Sequence, residues 1–189
     1  MSQRRGDPLS RSVLVTGGNR GIGLAIARSL VDAGDKVAIT FRSGEPPQEL
    51  VERGVLAVRC DITEPEQVEQ AYKEIEEKHG KAEVLVANAG ITRDQLLLRM
   101  SEEDFAAVLD TNLTGTFRMV KRASKGMLRA RTGRIVLISS VVGLMGQAGQ
   151  ANYAASKAGL VASPAPSPVS WAPGASPAMW WPPDSWTPI

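Results

Sequence analysis

The chain of 189 residues lacks several features that are typical of secreted, membrane-spanning or nucleic-acid-binding proteins. Its single cysteine, Cys60, excludes an internal disulfide and suits a reducing compartment. There is no apolar run of about 18 residues, and no apolar run of signal-peptide length follows the opening MSQRRGDPLS. The net charge is only +2, from 22 Lys and Arg against 20 Asp and Glu, which favours neither nucleic acid nor an anionic membrane as a partner. We therefore expect a cytoplasmic protein with no metal site, no membrane contact and no bound nucleic acid.

Strand and helix patterns alternate from Ser12 onward, after an N-terminus, residues 1–11, that we expect to be flexible. Five apolar, β-branched runs are typical of buried strands, and stretches with apolar residues at helical spacing separate them. The five runs are SVLVTGG, KVAITFR, VLAVRCD, AEVLVANAG and GRIVLISS, and NYAASKAGLV begins a further helix. Continuous apolar strands between amphipathic helices predict an α/β fold with a doubly wound parallel sheet over residues 12–161.

The composition changes abruptly at Ala162. The last 28 residues hold all four Trp and eight of the twelve Pro, with Asp184 as their only charged residue. Proline removes backbone donors and disfavours both helix and central strand, so we expect residues 162–189 to be irregular. One interpretation of such a segment is a linker or a partner motif in the polyproline conformation.

A glycine-rich motif, TGGNRGIG from Thr16 to Gly23, lies where the first strand turns into a helix. In a nucleotide site, Gly17 would allow the tight turn, Gly21 would let the backbone approach a pyrophosphate, and Gly23 would let helix and strand pack closely. Asn19 and Ile22 lie within the same loop and are candidate cofactor residues. The alternative is a purely structural turn. The chain has no GKS or GKT, which does not support a P-loop for triphosphates.

Two arginines lie at positions that bear on the choice between NAD(H) and NADP(H). Arg42 follows the second strand, where NAD-binding proteins commonly have an acidic residue, and Arg20 lies within the glycine loop. Guanidinium groups pair with phosphate through two charge-assisted bonds, which predicts NADP(H) as the cofactor. The alternative is that both are solvated surface arginines.

A tyrosine and a lysine four residues apart supply the candidate chemistry. Tyr153 and Lys157 share one face of a helix, and a nearby ammonium lowers the pKa of a phenol from about 10, so that Tyr153 can act as a general acid. Ser139 and Ser140 end the fifth strand and could donate to a carbonyl oxygen. The alternative is an exposed Tyr and Lys on an amphipathic helix.

Together, TGGNRGIG, NAG at 88–90, Asn112, Ser140 and YAASK resemble the short-chain dehydrogenase/reductase family, over residues 12–161 and with the motifs in the family's order. QANYAASKAGL and ISSVVG are most similar to its 3-oxoacyl-acyl-carrier-protein reductase branch. The resemblance implies a Rossmann-like fold, a carrier-linked 3-oxoacyl or other ketone substrate in fatty-acid biosynthesis, and a homotetramer. It implies that Tyr153 protonates the carbonyl, that Lys157 holds the nicotinamide ribose, that Ser140 positions substrate and that Asn112 supports a relay water. Asp61 would meet the adenine, and Asn88, Ala89 and Gly90 the adenosine ribose.

The family pattern stops after Val161, where a sixth strand, a substrate lid and a last strand are not visible, so we expect a sheet truncated after about five strands. The genetic code offers an explanation. Read one base earlier, the unique Met and Trp codons at 179–181 with Pro182 force Val-Val-Ala, and Trp186 with Thr187 forces Asp. These residues fall where the family has its sixth strand, and we hypothesise a one-base frame slip near Val161.

The alternative functions are another reductase of the family, a nonenzymatic nucleotide-binding or interaction protein, and an inactive fragment.

Overall fold

A computed structural model describes residues 10–163 and 179–181. The strands are β1 (Ser12–Thr16), β2 (Lys36–Phe41), β3 (Leu56–Arg59), β4 (Val84–Ala87), β5 (Arg134–Ile138) and β6 (Met179–Trp181). The helices are α1 (Gly21–Asp32), α2 (Gln48–Glu52), α3 (Pro65–His79), α4 (Glu102–Leu109), α5 (Thr116–Ala130), α6 (Val142–Met145) and α7 (Ala151–Ala162). A short 3-10 turn spans Leu97–Arg99. The five predicted strands are thereby confirmed.

All paired strands of the described sheet run parallel, in the order β3-β2-β1-β4-β5-β6. The chain builds outward from β1 to β3 and then crosses back to place β4 on the other side of β1. In such sheets a ligand crevice opens beyond the carboxyl ends of the strands, at the point where the order reverses. The predicted doubly wound α/β architecture is confirmed.

Each face of the sheet has its own hydrophobic core, because alternate strand residues point to opposite faces. On one face, Leu14 and Leu85 pack with Tyr72 and Ile75 of α3 and Met119 of α5, all fully buried. On the other face, the core includes Val15, Ile39, Ala27 of α1 and Leu50 of α2. The strands read as continuous apolar runs because both of their faces are covered.

The helical stretch that begins after Ser101 is not one regular α-helix. A π-helical turn, Asp110–Gly115, separates α4 from α5. Within this turn, the side chain of Asn112 bonds to the backbone of Ile91, a residue of the segment after β4. Such turns occur often at functional sites.

The boundaries at both ends of the domain also differ from expectation. Arg11, assigned to the flexible N-terminus, is held in place by its guanidinium, whose Nε lies 3.0 Å from Oδ1 of Asp35. At the other end, α7 continues to Ala162, and Met179–Trp181, within the segment expected to be irregular, pair with β5 as a sixth strand. These three residues lie between prolines but contain none, so their backbone can pair. Residues 1–9, 164–178 and 182–189 lie outside the described residues.

Candidate active site

A cleft of about 340 Å³ opens at the carboxyl ends of β1 to β4. The residues that follow these four strands form its wall, as the topology predicts. Ten of the predicted cofactor residues line it: Gly17, Asn19, Arg20, Gly21, Ile22, Arg42, Asp61, Asn88, Ala89 and Gly90. The sequence signals, which come from four separate segments, therefore meet at one place.

The glycine turn is held by contacts to the end of β4. The side-chain amide of Asn88 donates to the carbonyl oxygens of Thr16 and Gly17, at 3.0 and 3.2 Å. The hydroxyl of Thr16 accepts in return from the backbone N–H groups of Asn88 and Ala89, at 3.0 and 2.9 Å. A Cβ at Gly23 would collide with the carbonyl oxygen of Gly17, so only glycine permits this packing. The predicted role of Gly23 in close packing agrees with this geometry.

The start of α1 offers backbone donors to the cleft. Gly17 and Gly21 both have positive φ, 65° and 55°, which lets the chain turn sharply into the helix. Arg20, the N-cap, makes no side-chain capping bond. The first N–H groups of a helix have no partner within the helix, and with its dipole they favour an anion. A Cβ added at Gly21 would meet nothing within 4 Å, so the approach to this helix end is open.

The far end of the cleft combines cations with a carboxylate. Arg42 and Arg20 are exposed there. One guanidinium nitrogen of Arg42 lies 3.9 Å from a carboxylate oxygen of Asp61, a long ion pair. The other oxygen of Asp61 accepts from the backbone N–H and the hydroxyl of Thr63, at 2.9 and 2.7 Å. The amide of Asn19 donates to the carbonyl of Ser43 at 3.0 Å and so connects the glycine loop with the turn after β2.

The predicted catalytic residues do not line this cleft: Tyr153 and Lys157 lie on α7, Ser140 follows β5, and Asn112 lies in the π-helical turn. Lys157 is only 4% exposed, and its Nζ donates to the carbonyl oxygen of Ile138 at 2.8 Å. The same Nζ lies 5.6 Å from the ring centroid of Tyr153. Burial lowers the pKa of Lys157 from 10.5 to about 8, since desolvation disfavours the ammonium. The helical spacing therefore does bring the lysine and the tyrosine together, with the lysine buried and the tyrosine half-buried.

The two serines at the end of β5 serve different purposes. Ser139 is fully buried and its hydroxyl donates to the carbonyl oxygen of Lys157 at 2.9 Å, so it ties α7 to the sheet. Ser140 is the first residue beyond it, and its hydroxyl accepts from the backbone N–H of Val142 at 3.2 Å. Of the two, Ser140 is the one that remains a candidate for substrate contact.

Asn112 connects the catalytic group to the cleft. Its fully buried amide accepts from the N–H of Ile91 at 2.8 Å and donates to the carbonyl of Ile91 and the hydroxyl of Ser156, each at 3.0 Å. Its Oδ1 also lies 3.1 Å from the position of a Cβ added at Gly90, so only glycine fits comfortably there. The side chain is thus fully used in structural bonds, and its contact with a relay water stays a prediction.

Sequence reasoning missed several residues that organise this site. Thr16, Asn152 and Ser156 all bond across elements, and Thr40, Phe41 and Cys60 add to the cleft wall. Serine, threonine and asparagine carry no periodic signal, and their partners here lie up to 73 residues away in the chain. Only the tertiary structure could identify them.

Within residues 10–163, no group of three or more His, Cys, Asp and Glu side chains is arranged to hold a metal ion. Across the part of the chain that the structure describes, no helix has the length and apolar character needed to cross a membrane.

A parallel sheet with a glycine turn at its switch point, together with a half-buried tyrosine against a buried lysine, defines a doubly wound α/β protein with a candidate ligand cleft and a candidate catalytic centre. Comparison with known families agrees: the family model for short chain dehydrogenase matches residues 11–163. The chain therefore belongs to the short chain dehydrogenase family.

Several relatives are described as 3-oxoacyl-[acyl-carrier-protein] reductases. The 3-oxoacyl-[acyl-carrier-protein] reductase MabA of Mycobacterium avium is 52% identical over 153 residues, which cover 81% of this chain and 58% of the relative. The MabA protein of Mycobacterium bovis is also 52% identical, with 60% of its length covered. The 3-oxoacyl-[acyl-carrier-protein] reductase FabG of Vibrio cholerae is 47% identical over 152 residues, covering 78% of this chain and 62% of the relative. The chain spans about three fifths of the length of these relatives.

Proposed function

We propose that the chain carries the cofactor and catalytic elements of an NADP(H)-dependent reductase that converts a 3-oxoacyl thioester, linked to acyl carrier protein, to the 3-hydroxyacyl thioester. The observation that carries the proposal is the contact of the buried Lys157 with the half-buried Tyr153, in a fold whose glycine turn forms a cleft. The names of the relatives supply the substrate class. The assignment to NADP(H) rather than NAD(H) depends on Arg42 and Arg20.

The residues of the cleft fit a dinucleotide. The glycine turn and the uncapped start of α1 would hold the pyrophosphate, Asp61 and the 88–90 segment would contact the adenosine half, and Arg42 with Arg20 would meet a 2′-phosphate. When bound, a nicotinamide dinucleotide supplies a hydride. The carboxylate of Asp61 does not argue against a 2′-phosphate beside Arg42. It lies 3.9 Å from the Arg42 guanidinium, and its other oxygen accepts hydrogen bonds from Thr63.

The chain's own residues would handle the proton. The phenol of Tyr153 donates it to the carbonyl oxygen as charge develops there, and Ser140, at the end of β5, holds that oxygen. Lys157 lies against the ring of Tyr153, so its ammonium favours the phenolate that remains after transfer. Ser139 and the carbonyl of Ile138 hold the backbone and the ammonium of Lys157 in this position.

Self-association of the kind that the family resemblance implies belongs to this proposal. Phe105 on α4 and Phe117 on α5 are 37% and 58% exposed, which is unusual for large aromatic side chains. They supply apolar surface that a second copy of the chain would cover.

The test of the function is NADPH oxidation with a short 3-oxoacyl thioester, comparing the parent chain with Tyr153→Phe. Removing the hydroxyl removes the proton donor, so we expect kcat to fall about 100-fold or more, while NADPH binding, followed by fluorescence, stays unchanged. Equal turnover in the two proteins would contradict the role of Tyr153. A parent chain that neither binds NADPH nor oxidises it would contradict the proposed function itself.

Cofactor choice is tested separately with Arg42→Ala. Loss of a charge-assisted pair with phosphate should weaken NADPH binding about 10-fold and leave NADH binding nearly unchanged. Arg53→Ala is the matched control, because Arg53 is also exposed but pairs with Asp32, away from the cleft. If Arg42→Ala weakens both dinucleotides equally, the arginine does not read the 2′-phosphate.

A further inference from the structure

Asn152, the residue before Tyr153, is fully buried although its side chain is polar. Its amide donates to the carbonyl oxygen of Arg93 at 2.9 Å and to that of Asp104 at 3.4 Å. Its side-chain oxygen accepts from the backbone N–H of Tyr153 at 2.7 Å. An amide side chain has two N–H donors and one carbonyl acceptor. Both ends of this amide are therefore paired, and the amide joins α7 to α4 and to the segment after β4.

A second anchor reaches the same segment from the other side of Tyr153. The hydroxyl of Ser156 donates to the carbonyl of Tyr153 at 2.8 Å and accepts from Asn112, which is bonded to Ile91. The two anchors thus bracket Tyr153 and both end on the short stretch 91–93. That stretch directly follows residues 88–90, which line the cleft. One continuous segment therefore contacts the cleft and fixes the backbone of Tyr153.

Exposed hydrogen bonds add to these contacts between the start of α7 and the segment after β4. Gln150 donates to the carboxylate of Asp94 at 2.8 Å, and the N–H of Gln95 donates to the carbonyl of Gly149 at 2.8 Å. Arg93 and Asp104, whose carbonyl oxygens both accept from Asn152, also form an ion pair with their side chains at 3.3 Å. Buried hydrogen bonds resist displacement more than exposed ones, so Asn152 is the member that sets the geometry.

We propose that Asn152 is a positioning residue for the reaction: its bonds to Arg93 and Asp104 set where the phenol of Tyr153 lies relative to the cleft and to Lys157. This inference rests on the proposed function for its effect on turnover, but the placement of the phenol is a property of the folded chain alone. A displacement of about 1 Å at a reacting group costs about 100-fold in rate. Asn152 need not touch the substrate to have this effect.

The experiment separates anchoring from simple support of the helix. Asn152→Ser keeps an oxygen beside the N–H of Tyr153 but cannot reach the carbonyls of Arg93 and Asp104. With NADPH and a 3-oxoacyl thioester, we expect kcat to fall about 100-fold, with the dissociation constant of NADPH unchanged within about threefold. Gln147→Ala, at an exposed position of the preceding loop, is the matched control and should behave as the parent. A kcat of Asn152→Ser equal to that of the parent would overturn the inference.

A second readout needs no turnover. The chain has two tyrosines, and Tyr72 is fully buried, with its pKa raised far above the ordinary range by desolvation. Phenolate absorbance in the near ultraviolet therefore reports on Tyr153. In Asn152→Ser, the phenol should move relative to Lys157, and the midpoint of its titration should differ from that of the parent.

The two measurements distinguish a failure of the proposed function from a failure of this inference about Asn152. If the parent chain shows no turnover, the proposed function fails for this chain, while the titration still decides the inference: an unmoved midpoint in folded Asn152→Ser overturns it, and a shifted midpoint supports it. If Asn152→Ser does not fold, Asn152→Gln replaces it. That variant retains every hydrogen-bonding group one methylene farther out, so it should fold and shift α7, with the same loss of kcat and a shifted midpoint.

Discussion

Replacing Lys157 with methionine should stabilise the folded chain near neutral pH. Lys157 is 4% exposed, and the pKa of its side chain falls from 10.5 to about 8 because burial disfavours the charge. A tenfold change in proton affinity corresponds to about 1.4 kcal/mol, so the buried charge costs about 3 kcal/mol. Methionine has a similar length without the charge. It loses the bond to Ile138, worth about 1 kcal/mol, which leaves a net gain of about 2 kcal/mol.

The sign of the pH dependence identifies the cause. Lysine in the unfolded chain stays protonated up to 10.5, whereas in the folded chain it loses its proton near 8. Between these values the unfolded state binds more protons, so the stability of the parent rises with pH. The advantage of Lys157→Met should therefore be full below about pH 8, shrink above it, and reverse by about 1 kcal/mol near pH 10.5.

Urea unfolding of the parent and of Lys157→Met, at intervals from about pH 7 to about pH 10, measures this difference. Groups that Lys157 does not contact, such as Cys60, whose pKa burial raises to about 11, are common to both proteins and cancel. Lys73→Met, at an exposed position of α3, is the control and should show no such pH dependence. A stability difference between parent and Lys157→Met that stays constant across the range would refute the reasoning.

Two further predictions follow from the glycine turn and from the C-terminal segment. Gly23→Ala should abolish NADPH binding in a fluorescence titration, because the new methyl group would meet the carbonyl of Gly17 and the amide of Asn88. Gly126→Ala, inside α5 with no atom closer than 3.9 Å to the added carbon, should instead bind normally and gain about 0.5–1 kcal/mol in urea unfolding; normal binding by Gly23→Ala would show that the turn can relax. For residues 162–189, we propose the one-base frame slip, and sequencing of the encoding DNA should find codons that permit a family-like sixth strand when read one base earlier. Codons that do not permit such a peptide would remove that proposal.

The predictable part of the molecule is the part with local, periodic signals. Each of the first five strands is a continuous apolar run, and parallel strands place the residues that follow them along one edge, so the cleft could be predicted from segments far apart in the chain. The spacing of Tyr153 and Lys157 on one helix face predicted their proximity in the same way.

The parts that could not be predicted depend on polar contacts between distant segments. The stretch DTNLTG continues a helical pattern, and nothing within it shows that Asn112 bonds to Ile91 and that a π-helical turn replaces regular helix. Likewise, the prolines around Met179–Trp181 predict irregular backbone, whereas the pairing with β5 needs only three residues without proline. In both cases, tertiary hydrogen bonds override a local preference.

The environment of Lys157 shows what helical spacing alone leaves undetermined. Spacing places the lysine beside Tyr153, but the size of its effect depends on whether it is charged, and burial lowers its own pKa to about 8. The ammonium supports the phenolate only while it keeps its proton, so this support should weaken as the pH rises through about 8. The fold therefore accepts a destabilising buried charge at the position where that charge would serve proton transfer.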